Sequence, residues 1–312
     1  MSLNSRIVAA IDCGTNSTRL LIAEKTDENR YEVILRRQEV TRLGAGVDAS
    51  RELKPEAMDR VLATLISFQE DLNLSSTQAV RVVATSAVRD ATNRDIFLEA
   101  AKGVTGFEVE LLSGEEEAEL SYLGATHEME RGEAPYLIFD LGGGSTEFAY
   151  GNDTCEEFFS TDVGCVRISE KFIHSDPPLP EELSAALSLI ELHLNDVEQA
   201  VTKIAGAKTL IGVAGTVTAM AMIEQGLQEY SYDAVHHYRM TKEAMEEVFR
   251  ILATDSRENR LTNPGMEEDR VDVIVGGVCV LIQIMRQFGF SECLVSERDI
   301  LDGLILQQLG EG

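Results

Sequence analysis

An eight-residue stretch recurs in this chain at an offset of 128 residues, Asp12 to Asp140. Ile11-Asp12-Cys13-Gly14-Thr15-Asn16-Ser17-Thr18 matches Phe139-Asp140-Leu141-Gly142-Gly143-Gly144-Ser145-Thr146. Each copy follows a short apolar run with strand character (7–12 and 136–140) and precedes a further extended run (19–25 and 146–150). One such loop alone is as readily a plain β-turn. Two copies in the same setting predict a duplicated unit, so two related lobes facing one another across a cleft. The expected domains are 1–131 and 132–312.

The rest of the chain alternates between strand-like and helix-like segments, which is the α/β pattern. Strands are predicted at 31–37, 80–85, 109–112, 208–213 and 292–295. Helices are predicted at 55–72, 94–102, 114–127, 180–202, 216–225, 242–253, 271–288 and 299–309. In the first helix Met58, Val61, Leu62, Leu65 and Phe68 fall on one stripe, and Pro55 suits its first turn. The Pro-rich stretch 175–180 reads as a loop.

Charge narrows the partners. The chain carries 54 acidic against 27 basic residues, a net −27. Such a surface repels nucleic-acid backbones, whose binding needs a Lys/Arg footprint, and it disfavours a polybasic membrane face. No nucleic-acid or membrane partner is expected. No apolar run approaches the ~20 residues of a membrane span. Cys13, Cys155, Cys165, Cys279 and Cys293 are odd in number and lack C-x-x-C spacing. Neither a disulfide framework nor a zinc site is expected, and the protein reads as cytoplasmic.

The repeated loops suit an anion despite the charge. Backbone N–H groups of Gly/Ser/Thr loops can approach and encircle phosphate oxygens. Candidate phosphate ligands are therefore Gly14, Thr15, Asn16, Ser17 and Thr18, with Gly142, Gly143, Gly144, Ser145 and Thr146. Asp12 and Asp140 end their strands at the loop mouths, where carboxylates can orient Mg²⁺ or its waters. A third turn, Gly212-Val213-Ala214-Gly215-Thr216, follows a strand and opens a helix. Gly215 and Thr216 would offer that helix N-terminus to an anion, although a routine strand-to-helix connection reads the same way.

Ser113-Gly114-Glu115-Glu116-Glu117-Ala118-Glu119 opens another helix. Ser113 and Glu116 fit a capping box. At about 100° per residue, Glu115 and Glu119 lie away from the Leu120/Leu123 stripe. Glu117 flanks that stripe and has no capping duty. It either complements the helix dipole or does chemistry.

Five motifs occur in one order: 12–19, Ala84-Thr85-Ser86-Ala87-Val88-Arg89 with Asn93, 113–118, 140–147 and 212–218. Arg42-Leu43-Gly44 with Gly46, and Gly164 with Arg167, accompany them. Together they resemble the exopolyphosphatase and guanosine pentaphosphate phosphohydrolase (Ppx/GppA) family over nearly the whole chain. The resemblance implies the acetate and sugar kinase/Hsp70/actin fold, two ribonuclease-H-like lobes around an interlobe cleft. The final helix would pack back on the first lobe. Two departures stand out. Longer relatives carry extra C-terminal helical domains, and the usual Gly-Leu-Arg-Glu-Gly segment reads Asp299-Ile300-Leu301-Asp302-Gly303, without its Arg.

By this resemblance Glu117 is the catalytic base and Glu147 a second catalytic acid facing the cleft. Mg²⁺ or another divalent cation would be held through Asp12, Asp140 and Glu147. Arg89 would bind the phosphate chain and Arg167 phosphates further along. The implied reaction is hydrolysis of the terminal phosphate of inorganic polyphosphate by a Glu-activated water. Alternatives are 5′-phosphohydrolysis of guanosine pentaphosphate and a nonenzymatic polyphosphate or alarmone sensor. A sugar or acetate kinase shares the fold but not the 113–118 motif. Family behaviour suggests a homodimer.

Overall fold

The computed structural model describes residues 6–27 and 30–310. The chain divides into two compact units, residues 1–124 with 300–312 and residues 125–299.

The first unit runs β1 (Ile7–Cys13), β2 (Ser17–Asp27), β3 (Arg30–Val40), α1 (Val47–Ser50) and α2 (Pro55–Leu74). It continues with β4 (Ala79–Ala84), α3 (Ser86–Asp90), α4 (Arg94–Thr105), β5 (Val109–Leu111) and α5 (Gly114–Thr126). Its sheet has the order β3-β2-β1-β4-β5. The β1–β2 and β2–β3 pairs are antiparallel, whereas β1–β4 and β4–β5 are parallel. Strand β1 is buried on both faces, as its unbroken apolar run requires. Ala9, Ile11 and Cys13 join the core with Val61, Leu65 and Phe68 of α2 and Phe97 of α4. The alternate residues Val8 and Ala10 join Leu21, Val83 and Leu120 in a second core. That second core is completed by Leu301, Leu304, Ile305 and Leu309, from the far end of the sequence.

The second unit runs β6 (Tyr136–Leu141), β7 (Thr146–Gly151), β8 (Cys155–Thr161), α6 (Cys165–Phe172), α7 (Pro180–Ala200), β9 (Thr209–Val213) and α8 (Gly215–Gln225). It continues with α9 (Tyr232–Val235), β10 (Arg239–Thr241), α10 (Lys242–Thr254), α11 (Arg257–Arg260), α12 (Ile274–Gln287) and β11 (Glu292–Val295). Helix α13 (Ile300–Leu309) returns to the first unit. The second sheet has the order β10-β11-β9-β6-β7-β8. Without its added edge strand β10, this repeats the order and strand directions of the first sheet. Duplication extends to register: Asp12 pairs with Arg19 and Cys13 with Thr18, as Asp140 pairs with Glu147 and Leu141 with Thr146.

Strand β8 and helix α6 are not among the elements predicted from the sequence. The strand is an edge strand, half-buried along its length, and the helix is only eight residues long. Among the described residues no helix is long and apolar enough to cross a membrane. Among the described residues no two cysteines form a disulfide, and burial pushes Cys279 and Cys293 up to about 12.

Candidate functional site

The loop after β6 is closed by the Gly142 amide donating to the Ser145 carbonyl at 3.1 Å. The loop after β1 closes the same way, Gly14 to Ser17 at 3.0 Å. What distinguishes both from plain turns is where their carbonyls go. Gly142 O accepts from Cys165 N at 3.0 Å, and Gly143 O accepts from Val166 N and Arg167 N at 2.9 and 3.1 Å. These are the first amides of α6, which otherwise lack partners. Gly144 O accepts from Arg167 Nε at 2.7 Å. In the first unit Thr15 O and Asn16 O accept from Gly44 N and Arg42 N, each at 2.8 Å.

In a trans peptide the N–H points opposite to the preceding C=O. Pinning the carbonyls of residues 142–144 therefore turns the Gly143, Gly144 and Ser145 amides away from α6. Pinning those of Thr15 and Asn16 does the same for the Asn16 and Ser17 amides. Each loop thus presents a cluster of N–H dipoles on one side, the arrangement that holds an anion.

Close approach makes this possible. A Cβ at Gly164 would lie 2.4 Å from Gly143 O and 2.7 Å from Gly144 C. Gly164→Ala is expected to displace the 142–144 loop and weaken phosphate-chain binding about tenfold, read as a rise in KM or in the dissociation constant of tripolyphosphate. Unchanged affinity would count against the loop as the anion cradle.

The loop hydroxyls divide into two groups. Thr146 Oγ1 donates to Val163 O at 2.5 Å, and Thr18 Oγ1 bonds Thr41 Oγ1 at 3.0 Å. Both threonines are fully buried and brace the loops from behind. Thr15 Oγ1 bonds Ser86 Oγ at 2.9 Å, tying the first loop to α3. Ser17 is half-exposed.

The carboxylates differ between the units. Asp12 receives Arg19 Nη2 at 2.6 Å and Nε at 3.1 Å, so a cation already neighbours it. At the equivalent register position the second unit has Glu147. Asp140 and Glu147 are buried and, as directly paired residues, share one face of the sheet. Ser160 Oγ donates to Glu147 Oε1 at 2.8 Å. Two neighbouring buried carboxylates favour a cation. Among the described residues no three His, Cys, Asp or Glu side chains gather into a metal cluster. Mg²⁺ needs none: it takes one or two carboxylates and fills its shell with water and substrate phosphates. Asp140 and Glu147 fit that donor set.

On α5, Ser113 and Glu116 form the capping box. Ser113 N donates to Glu116 Oε2 at 2.8 Å, and Glu116 N to Ser113 Oγ at 3.2 Å. The Ser113 amide and hydroxyl hold the Glu116 carboxyl below the ordinary carboxylate range. Glu115 and Glu119 are exposed, while Glu117 is buried. Arg89 Nη1 contacts Glu117 Oε1 and also donates to Leu112 O at 2.7 Å. The base candidate and the arginine expected on the phosphate chain are thus brought together.

Gly215 opens α8, and Thr216 is buried behind it against Gly277. A Cβ on Gly215 would meet both terminal nitrogens of Arg270 at 2.1 Å. Arg270 is itself buried and receives no signal in the sequence analysis. It stands in a turn-rich stretch just ahead of an apolar helix, and only the fold lays its guanidinium over the α8 N-terminus.

Two sheets of ribonuclease-H-like strand order, each with an amide-presenting loop after its first strand, define an α/β protein of the actin-like superfamily. The Ppx/GppA phosphatase family model matches residues 21–311, and the chain belongs to that family. Exopolyphosphatase 2 of Mycobacterium tuberculosis is 39% identical, over 97% of this chain and 98% of that protein. A guanosine-5'-triphosphate,3'-diphosphate pyrophosphatase of Photobacterium profundum is 28% identical, over 98% of this chain and 60% of the relative. The crystal structure of an exopolyphosphatase-like protein superposes with a TM-score of 0.93 at 33% identity, covering 97% of this chain and 99% of that one.

Proposed function

We propose that this chain is a cytoplasmic exopolyphosphatase, which releases orthophosphate from the end of inorganic polyphosphate. The observation that carries the reading is the orientation of the repeated loops, whose pinned carbonyls leave their amides for phosphate oxygens. The likeness to a protein named exopolyphosphatase 2 supports the substrate class.

In this reading the amides of Gly143, Gly144 and Ser145, and those of Asn16 and Ser17, bind phosphate oxygens. Glu117 orients a water and accepts its proton as the oxygen attacks the terminal phosphorus. The bridging P–O bond breaks, and its oxygen remains on the shortened chain. Arg89 holds the Glu117 carboxylate and lies ready to share its charge with the phosphoryl oxygens. Asp140 and Glu147 are the residues that would hold Mg²⁺, which neutralises phosphoryl oxygen charge when bound.

The relative named for guanosine-5'-triphosphate,3'-diphosphate favours a second reading, removal of the 5′ terminal phosphate of guanosine pentaphosphate. Phosphate release from both substrates at matched Mg²⁺ tests the proposal. Faster turnover of polyphosphate is expected. Turnover of guanosine pentaphosphate alone would install the second reading, and binding without turnover would make the chain a sensor.

A further inference from the structure

The strand pairing lays two equivalent rows of side chains across the two sheets. In the first unit Val83, Asp12, Arg19 and Gln38 stand side by side on β4, β1, β2 and β3. In the second unit Val213, Asp140, Glu147 and Ser160 stand on β9, β6, β7 and β8 in the same order. Directly paired residues share a sheet face, so each row is one continuous strip. The valine and the aspartate are common to both. The strips differ only at their third and fourth places.

That difference decides what each strip can hold. In the first, Arg19 brings a guanidinium to Asp12 at 2.6 Å, so the row carries its own cation. In the second, a glutamate stands in the place of that arginine, and two buried carboxylates become neighbours. Their mutual repulsion favours an added cation. The fourth place differs in kind as well. Gln38 is exposed, whereas Ser160 is half-buried and its Oγ meets Glu147 Oε1 at 2.8 Å. An ionised carboxylate can only accept, so the serine hydroxyl donates.

Strand β8 aims that hydroxyl. Successive side chains of a strand point to opposite faces. Phe159 packs on the second unit's core, and Thr161 Oγ1 bonds His193 Nδ1 of α7 at 3.0 Å. Ser160 lies between them and is turned to the other face. Asp140 is placed in the same way, between the core residues Phe139 and Leu141, and Glu147 directly precedes the core residue Phe148. Of the two carboxylates Glu147 has the longer side chain, and its terminal torsion is intrinsically broad. A fixed donor on Oε1 removes that freedom. Carboxylates that hold metal ions are themselves hydrogen-bonded, and losing such a partner costs about 10–100-fold in metal affinity.

We propose that Ser160 is a positioning residue for a divalent cation, acting through Glu147 by fixing the carboxylate that holds the ion together with Asp140. This rests on the cation-binding role given to Asp140 and Glu147 above.

Titration with Mn²⁺, which like Mg²⁺ suits carboxylate and water oxygens, tests it in the absence of substrate. Free Mn²⁺ is read by electron paramagnetic resonance. Ser160→Ala is compared with Ser160→Thr, which keeps the hydroxyl and suits a strand. Loss of binding in Glu147→Gln is expected, and assigns the ion to this strip. Ser160→Ala is expected to weaken Mn²⁺ binding about tenfold and to raise the Mg²⁺ concentration that half-saturates phosphate release by the same factor. Ser160→Thr is expected to restore both, with the metal-free unfolding midpoint alike in all three chains. Unchanged Mn²⁺ affinity in Ser160→Ala, or a loss that threonine does not restore, overturns the proposal. So does Mn²⁺ binding that survives Glu147→Gln, or none by the unaltered chain. Failure of the functional reading is a separate result, because Mn²⁺ affinities would then follow this pattern while the unaltered chain released no phosphate from polyphosphate.

Discussion

Glu117→Gln is expected to lower phosphate release by about 10²–10⁴-fold, the usual contribution of a positioned general base, while binding of tripolyphosphate changes little. The substitution keeps the shape of a buried side chain and an oxygen able to accept from Arg89. It removes the capacity to take a proton. Steady-state kcat, tripolyphosphate affinity and the thermal unfolding midpoint separate the possible causes. A fall in kcat with the other two preserved assigns the base. Retained turnover removes Glu117 from that role and returns it to the helix-dipole reading.

Gly303→Ala is expected to damage both stability and turnover. A Cβ at Gly303 would stand 2.1 Å from Leu120 O and 2.8 Å from Leu120 C. Those are backbone atoms of α5, so no side chain can rotate aside, and α5 or α13 must move. Overpacking costs about 1–3 kcal/mol, which lowers the unfolding midpoint by several degrees. Glu117 lies one turn before Leu120 on that helix, and misplacing a reacting group by about 1 Å can cost 10²-fold. A fall in kcat of at least tenfold with little change in KM is therefore expected. Gly103→Ala is the control, since a Cβ there meets nothing within 4 Å. That variant should be as active as the parent and slightly more stable. Equal behaviour of the two variants would show that α13 does not position α5.

Much of this architecture is legible in the sequence because its strongest elements are periodic or duplicated. Helix α2 buries Val61, Leu65 and Phe68 as its stripe predicts, while Met58 and Leu62 are half-buried and Ala57 and Leu72 complete the face. The capping box at Ser113 and Glu116 forms as the S-x-x-E spacing requires. The loop repeat carries through to identical register in two sheets. What escapes the sequence is set by tertiary contacts. Strand β8 pairs along the edge of β7 with no alternation of its own. The contact between Arg89 and Glu117 joins positions 28 residues apart, and nothing local announces it. Arg270 reaches Gly215 only through the packing of the second unit. The bracing role of two loop hydroxyls is equally invisible, because Thr18 and Thr146 read like any other Ser/Thr donors until Thr41 and Val163 meet them.

The return of α13 to the first unit also orders events during synthesis. Residues 125–299 leave the ribosome as a complete unit, whereas Val8, Ala10, Leu21 and Val83 still await Leu301, Leu304 and Ile305. The part of the molecule translated first is thus finished last, reversing the usual vectorial order. Asp302 then latches it, fully buried between the Tyr31 hydroxyl at 2.6 Å and Arg36 at 2.7 Å. A nascent chain halted at residue 299 would carry an uncovered apolar sheet face, a natural point for chaperone capture.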